Sequence, residues 1–316
     1  MKILVTGGAG FIGSHLCERL LTENHEVVCV DNLISGSKNN ISHLVDNKNF
    51  IFLEHDVIKP LPTDSTADAV FHMASPASPN HHSKISYHSL PVETMLVNTQ
   101  GTFELLKFCK KNGAKFLFAS TSEVYGDPEE HPQKETYNGN VSTTGPRSVY
   151  DEAKRFGETI TAHFYRNNLV DARIARIFNT YGPRMLKEDM RMLVSFITQA
   201  LKNEDITIFG TGKQTRSLCY IDDLIKGLLK LMFNDGTKGK IVNLGFPDER
   251  TVIEYAEIVK KLTNSSSKIV FKEALPQDDP KKRRPDISLA KQLLNWEPKT
   301  NIEDGIKLMI NYLKKV

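Results

Sequence analysis

With 316 residues, the chain is too long for one small domain and comfortable for two. Its 40% hydrophobic and 25% charged residues match a soluble globular protein that needs no disulfide or metal staple. Lys and Arg number 41 against 38 Asp and Glu. A net charge of +3, with one dense basic run at residues 281–284, excludes a nucleic-acid-binding surface as the main function. Cys17, Cys29, Cys109 and Cys219 form no close pair, which points to a reducing, cytoplasmic compartment and away from a zinc site or disulfide framework. His81, His82 and His88 lack Cys or carboxylate partners at ligand spacing and read as solvated loop histidines, so no metal is expected. The N-terminus shows no signal-peptide pattern, and no apolar run reaches the roughly 18–20 residues of a membrane span.

The first half alternates two periodicities. Residues 2–6 form a β-branched run, then come glycines, then Ile12, Leu16 and Leu20 at helical spacing. Residues 26–30 are a second apolar run that ends at Asp31. Further runs at 50–53, 69–74, 115–120 and 172–178 complete six strands. Residues 92–112 predict a long helix with Val97, Phe103, Leu106 and Cys109 on one face, and 149–167 predict another. Continuous apolar strands alternating with helices predict an α/β fold with a doubly wound parallel sheet covered on both faces. After Asn179 the rhythm changes to helices at 190–201, 220–233, 252–262, 288–294 and 302–315, with short strands at 207–209 and 269–271. This places a boundary near 180. The loops 76–91 and 125–147 have the length of functional loops rather than simple connections.

Gly7, Gly8, Gly10 and Gly13 follow the first strand and open the first helix. Glycine there permits a tight turn, close approach of a pyrophosphate and close helix–strand packing, and the helix N-terminus presents N–H groups to phosphates. Asp31 ends the next strand, where its carboxylate accepts from ribose hydroxyls and repels a 2′-phosphate, favouring NAD over NADP. Tyr150 and Lys154 stand at i and i+4 on one helix face. An ammonium one turn away, with a positive nicotinamide nearby, would favour the phenolate and make Tyr150 a usable base. Thr121, Ser122 and Glu123 follow the fifth strand, at the sheet edge where doubly wound folds bind ligands.

These motifs resemble the extended short-chain dehydrogenase/reductase family of nucleotide-sugar epimerases, dehydratases and decarboxylases. The resemblance implies a Rossmann domain over residues 1–179 that holds NAD. It also implies a smaller C-terminal α/β domain over 180–316, mainly for a nucleotide sugar, with some segments returning to the first domain. The cofactor contacts implied are Gly7, Gly10, Phe11, Ile12 and Gly13, then Asp31 and Asn32, Asp56 and Val57. Ala74, Ser75, Asn98, Tyr150 and Lys154 complete that set.

Within the family, a dehydratase carries an acid at the position of Ser122, and the Ser122–Glu123 pair resembles the UDP-glucuronate decarboxylases. Residues 277–287 resemble the decarboxylases' DDPxxRxPDI segment, aligning Arg283 with an arginine that reaches into the active site and suits a carboxylate. The catalytic set implied is Thr121, Ser122, Glu123, Tyr150, Lys154 and Arg283, with Glu123 also a candidate to return a proton to the sugar C5. Pro76, Glu123, Asn179, Arg184, Arg191, Arg216 and Arg283 are the substrate set, with Asn179, Arg216 and Arg191 candidates for the diphosphate. The stretches 131–133, 145–147 and 176–184 carry the resemblance further. Residues 79–91, 141–145 and 190–196 depart from it.

The expected activity is NAD-dependent decarboxylation of UDP-glucuronate through a 4-keto intermediate, giving UDP-xylose or the 4-keto pentose. A nucleotide-sugar 4-epimerase or 4,6-dehydratase, and a catalytically silent NAD-binding sensor or scaffold, are the alternatives. The family also implies a homodimer packed through the helices at 92–112 and 149–167.

Overall fold

The computed structural model describes residues 1–272 and 282–315. Its first half runs β1 (Lys2–Thr6), α1 (Phe11–Thr22), β2 (Glu26–Asp31), β3 (Phe50–Glu54) and β4 (Ala69–His72). α2 (Pro91–Leu96), a π-helical segment (Val97–Gly101) and α3 (Thr102–Asn112) follow without a break. Then come β5 (Lys115–Thr121), α4 (Ser148–Arg166) and β6 (Ala172–Ile177). Beyond lie β7 (Thr180–Tyr181), α5 (Met192–Leu201), β8 (Ile206–Phe209), β9 (Thr215–Ser217), β10 (Cys219–Tyr220) and α6 (Ile221–Phe233). β11 (Ile241–Leu244), β12 (Glu249–Thr251), α7 (Val252–Thr263), β13 (Ile269–Lys272), α8 (Ser288–Leu294) and α9 (Ile302–Leu313) complete the order.

Seven parallel strands form the central sheet in the order β11-β6-β5-β4-β1-β2-β3. The doubly wound sheet expected from the sequence is therefore present. Its middle strands are buried along their whole length, as Phe116, Leu117 and Phe118 of β5 illustrate, because helices cover both faces. Strand order reverses between β1 and β4, which opens a crevice at the carboxyl ends of these strands. Four short β segments of the second half pair among themselves, β12 with β9 and β13 with β8, and β10 pairs with β7.

The structure differs from the sequence reading at three places. β11, a four-residue strand to which the sequence reading assigned no element, extends the sheet beside β6, and α6 packs against α1, so residues 221–244 pack with the first half. The long helix expected over 92–112 is interrupted by the π-helical turn. That turn inserts extra backbone per revolution and rotates the following face. Phe103, expected inside, is consequently 40% exposed, while Leu105, Leu106 and Cys109 are buried. One apolar cluster joins Ile3, Val5 and Leu16 through Leu224 and Leu228 to Tyr255, Ile306 and Met309, so the second half shares its core with one face of the sheet.

Candidate active site

Two adjoining cavities lie at the carboxyl edge of the sheet. The smaller, about 390 Å³, is floored by the glycine loop between β1 and α1. Gly7 has φ +68°, and a Cβ there would sit 2.7 Å from the Ala74 backbone. A Cβ at Gly13 would sit 2.1 Å from the Gly7 carbonyl oxygen, so only glycine permits this strand–helix contact. Gly10, Phe11 and Ile12 line the same cavity at the positive end of α1.

Asp31 closes its far side. One carboxylate oxygen accepts from Ala9 N (2.9 Å) and the other from Leu33 N (2.8 Å), which fixes the group while leaving a lone pair on each oxygen for a diol. Burial raises its pKa, and those two backbone bonds oppose the rise. Asn32, Asp56, Val57, Ala74, Ser75 and Pro76 also line this cavity. The arrangement of a glycine cradle, a helix N-terminus and a fixed carboxylate fits an adenine dinucleotide. Asn98 does not reach the lining. It lies buried in the π-helical turn and donates to Ser75 Oγ (2.9 Å) and Thr94 O (2.8 Å), so it acts on the cavity only through Ser75.

The larger cavity, about 1040 Å³, shares Ile12, Met73, Ser75, Ala77 and Arg191 with the first. Thr121, Glu123, Tyr150 and Lys154 form its inner end, and Asn179, Arg191 and Arg216 line the side contributed by the second half. Tyr150 is buried, which pushes its pKa up. A hydrogen bond with Thr121 is the main opposing effect. Lys154 donates to Ala119 O (2.7 Å), with Nζ 5.7 Å from the Tyr150 ring centroid, and burial lowers its pKa to about 7. Within the protein itself, the Thr121 hydroxyl is the main group drawing Tyr150 towards the phenolate.

Glu123 lies between two guanidinium groups, pairing with Arg147 through one oxygen and with Arg283 through the other. Burial alone would raise its pKa, but the charges of Arg147, Arg283 and Arg216 hold it at about 2. At neutral pH, with both arginines in place, it is ionised.

Arg283 is 3% exposed and lies behind Glu123 rather than on the cavity lining. Its Nη2 donates to Gly126 O (2.9 Å), and Nη1 stands 3.4 Å from Ser122 Oγ. Ser122 is likewise buried off the lining. Arg184 leaves the site altogether: it pairs with Glu18 of α1 and lines neither cavity. Of the tail segment singled out in the sequence, residues 277–281 lie outside the described residues.

The sequence reading missed three neighbours. Arg147, quoted only within a matching stretch, faces the cavity beside Glu123. Asp151 is buried next to Tyr150, and burial with the nearby Glu123 charge raises it to about 8. Tyr87, on the long 76–91 loop, stacks on Tyr150 with ring centroids 4.8 Å apart and planes within 10°. A lone aromatic in a Ser- and His-rich loop was the available signal. That loop is tied to the second half where Ser78 Oγ donates to Asp189 O (2.8 Å) and Asn80 Nδ2 to Met190 O (2.9 Å). His81 and His82 are exposed as expected, but His88 stacks on His81 and is driven down to about 4 by burial.

The family model for the NAD dependent epimerase/dehydratase family matches residues 3–245, most of the chain and both cavities' inner walls. The chain belongs to that family. It is 48% identical to UDP-glucuronic acid decarboxylase 1 of Arabidopsis thaliana, over 98% of this chain and 69% of that protein. It is 46% identical to UDP-glucuronic acid decarboxylase 1 of Xenopus tropicalis, over 99% and 72%. Among solved structures, UDP-glucose 4-epimerase of Thermotoga maritima, with UDP-glucose, superposes with a TM-score of 0.88 at 31% identity, covering 100% and 99% of the two chains. UDP-glucuronic acid 4-epimerase of Bacillus cereus, in complex with UDP-glucuronic acid and NAD, gives 0.87 at 30% identity with the same coverage. The cofactor of this family member is NAD, in agreement with the Asp31 geometry.

Proposed function

We propose that this family member is an NAD-dependent UDP-glucuronate decarboxylase that forms UDP-xylose, or the UDP-4-keto-pentose, through a 4-keto sugar acid. The observation that carries this reading is the charge at the inner end of the larger cavity. Among the described residues, Arg147, Arg216 and Arg283 surround one ionised carboxylate, Glu123, while Asp151 is raised to about 8 and stays largely protonated at pH 7. A site with that positive excess beside Tyr150 suits a sugar acid better than a neutral hexose. The 46–48% identity to UDP-glucuronic acid decarboxylases over nearly the whole chain supports the same substrate.

Bound NAD supplies the hydride acceptor for C4 oxidation and the donor for its reversal. Tyr150 takes the proton of the C4 hydroxyl, and Thr121 holds both oxygens in line. The resulting 4-keto acid is a β-keto acid. The C5–C6 bond breaks to release carbon dioxide, and its electron pair passes to the C4 oxygen, where the Tyr150 and Thr121 hydroxyls donate to the enolate; a proton from solvent then adds to C5 as the C4 carbonyl re-forms, and return of hydride to C4 with the Tyr150 proton gives the C4 hydroxyl of UDP-xylose. Arg147 holds the sugar carboxylate from the cavity side. Glu123, kept ionised, accepts from the sugar hydroxyls, and Arg283 with Ser122 fixes Glu123 from behind. Asn179, Arg191 and Arg216 hold the diphosphate, and Gly7 to Gly13 with Asp31 hold the dinucleotide, dividing the work between residues before and after about 180. Lys154 orients the nicotinamide ribose, and Asn98 sets Ser75.

The exposed apolar side chains on α2, α3 and α4 that line neither cavity support a homodimer through these helices: Met95 and Phe103, with Phe156 50% exposed. Four free buried thiols suit a cytoplasmic site of action. A second reading, 4-epimerisation of the same substrate, is favoured by the close superposition on the Bacillus cereus UDP-glucuronic acid 4-epimerase. Product analysis after incubation with UDP-glucuronate and NAD separates the two. A UDP-pentose with stoichiometric carbon dioxide is expected, and UDP-galacturonate without gas would establish the epimerase.

A further inference from the structure

The segment that carries Arg283 has no helix or strand to hold it: residues 282–287 contribute only an isolated bridge between Pro285 and Gln133. Its backbone is held by hydrogen bonds to Gln133, through both its main chain and its side chain, to Ser217, and to Asn243, whose Nδ2 donates to Asp286 O (3.2 Å). Gln133 is 0% exposed and bonds the segment three times. Its N–H donates to Arg284 O (2.9 Å), its Oε1 accepts from Arg284 N (2.9 Å), and its carbonyl accepts from Asp286 N (2.8 Å). The Gln133 side chain is itself held, because Nε2 donates to Glu130 O (2.8 Å). On the other side Ser217, buried and adjacent to Arg216, donates from Oγ to Arg283 O (3.1 Å). The backbone that carries the Arg283 side chain is thus held at 283, 284 and 286, and its guanidinium is delivered onto Glu123.

We infer that Gln133, seconded by Ser217, is a positioning residue for the reaction: it acts by aiming Arg283 at Glu123 and touches neither substrate nor cofactor. This rests on the decarboxylase reading for its catalytic consequence, but the clamp itself does not. The physical case is that Arg283 works by geometry. A guanidinium holding one carboxylate oxygen while Arg147 holds the other leaves Glu123 a single orientation. Gln133→Met keeps the side-chain volume and removes the acceptor, leaving the Arg284 N–H without its buried partner. The expected result is a looser Arg283 rather than an unfolded chain.

A double-mutant cycle with the full chain tests this. Gln133→Met and Ser217→Ala are each measured in the wild-type and Arg283→Ala backgrounds, by carbon dioxide release from UDP-glucuronate and by NAD affinity. If both residues act through Arg283, each lowers kcat by roughly 10-fold or more in the wild-type background and by less than about 2-fold once Arg283 is alanine. NAD affinity stays unchanged throughout. Equal losses in both backgrounds, or no loss in either, overturn the proposal. Hydrogen exchange supplies an arm that needs no turnover. In Gln133→Met, the Arg284 amide exchanges faster while β5 keeps its protection; unchanged exchange at Arg284 overturns the clamp. A wild-type chain that releases no carbon dioxide instead refutes the decarboxylase reading, and the exchange arm still decides the clamp.

Discussion

Replacing Glu123 by glutamine tests the charge cluster on which the site is built. The carboxyl group titrates at 4.5 in an ordinary setting and at about 2 in the folded protein, because three arginines outweigh the cost of burying it. That difference of about 2.5 units corresponds to roughly 3 kcal/mol of stability at pH 7. The opposite side of the cluster gives a similar size: Arg147 and Arg283, both nearly buried, lose the carboxylate that both contact, a defect of about 3–5 kcal/mol. The sign follows from the depressed pKa. Stabilisation is complete above pH 4.5, where the unfolded chain is also ionised, and is lost as pH falls towards 2. About 1 kcal/mol of it is gone by pH 3.5. Urea unfolding of wild type and Glu123→Gln between pH 7 and 3.5 should give a gap near 3 kcal/mol that narrows by about a third. Ionisation of Asp151, released from its neighbour's charge, offsets part of the loss, so Glu123→Gln with Asp151→Asn should show the larger gap. A gap below about 0.5 kcal/mol in the double variant, or one that does not change with pH, would refute the cluster as described.

The same geometry carries other expectations. Lys154 is a base depressed from 10.5 to about 7, so the unfolded chain binds the extra proton between those values, and stability rises with pH across that window. Lys154→Met should raise the melting temperature of the cofactor-free protein at pH 7, and the gain should shrink towards pH 10.5; a drop at pH 7 would contradict it. Tyr87 is 1% exposed and its hydroxyl has no hydrogen-bond partner among the described residues. Tyr87→Phe should therefore fold at least as stably as wild type, whereas Tyr87→Ala, which removes the stack on Tyr150, should lower kcat by about 10-fold or more. Phe103→Glu with Phe156→Glu should shift sedimentation from dimer to monomer with the melting curve of each subunit intact. A wild-type chain that sediments as a monomer removes the dimer proposal.

Much of the fold was legible because its signals are local. Six of the seven sheet strands announce themselves as apolar runs, and the glycine spacing marks the turn where Gly7 and Gly13 approach neighbouring backbone. β11 escaped because four residues, Ile241–Leu244, carry too little periodicity and stand beyond a long excursion from the sheet. Phe103 was misplaced because a π-helical turn breaks the 3.6-residue repeat on which a helical face is read. In the site, residue types were readable and their pairing was not. Glu123 meets arginines 24 and 160 positions away, and Arg184 meets Glu18 across 166. Nothing in those residues' own neighbourhoods says that Arg283 would be spent on Glu123 while Arg147 faces the cavity.

On the proposed mechanism, this chain oxidises a sugar acid at C4 in order to remove its carboxyl group. UDP-glucuronate labelled with ¹³C at C6 is incubated with the protein and NAD in excess over the sugar, and followed by NMR. The label should leave entirely as ¹³C-carbon dioxide and bicarbonate while an unlabelled UDP-pentose appears, and Tyr150→Phe should slow both together by at least about 100-fold. Label retained in a UDP-hexuronate, with the sugar epimerised or unchanged, would contradict it.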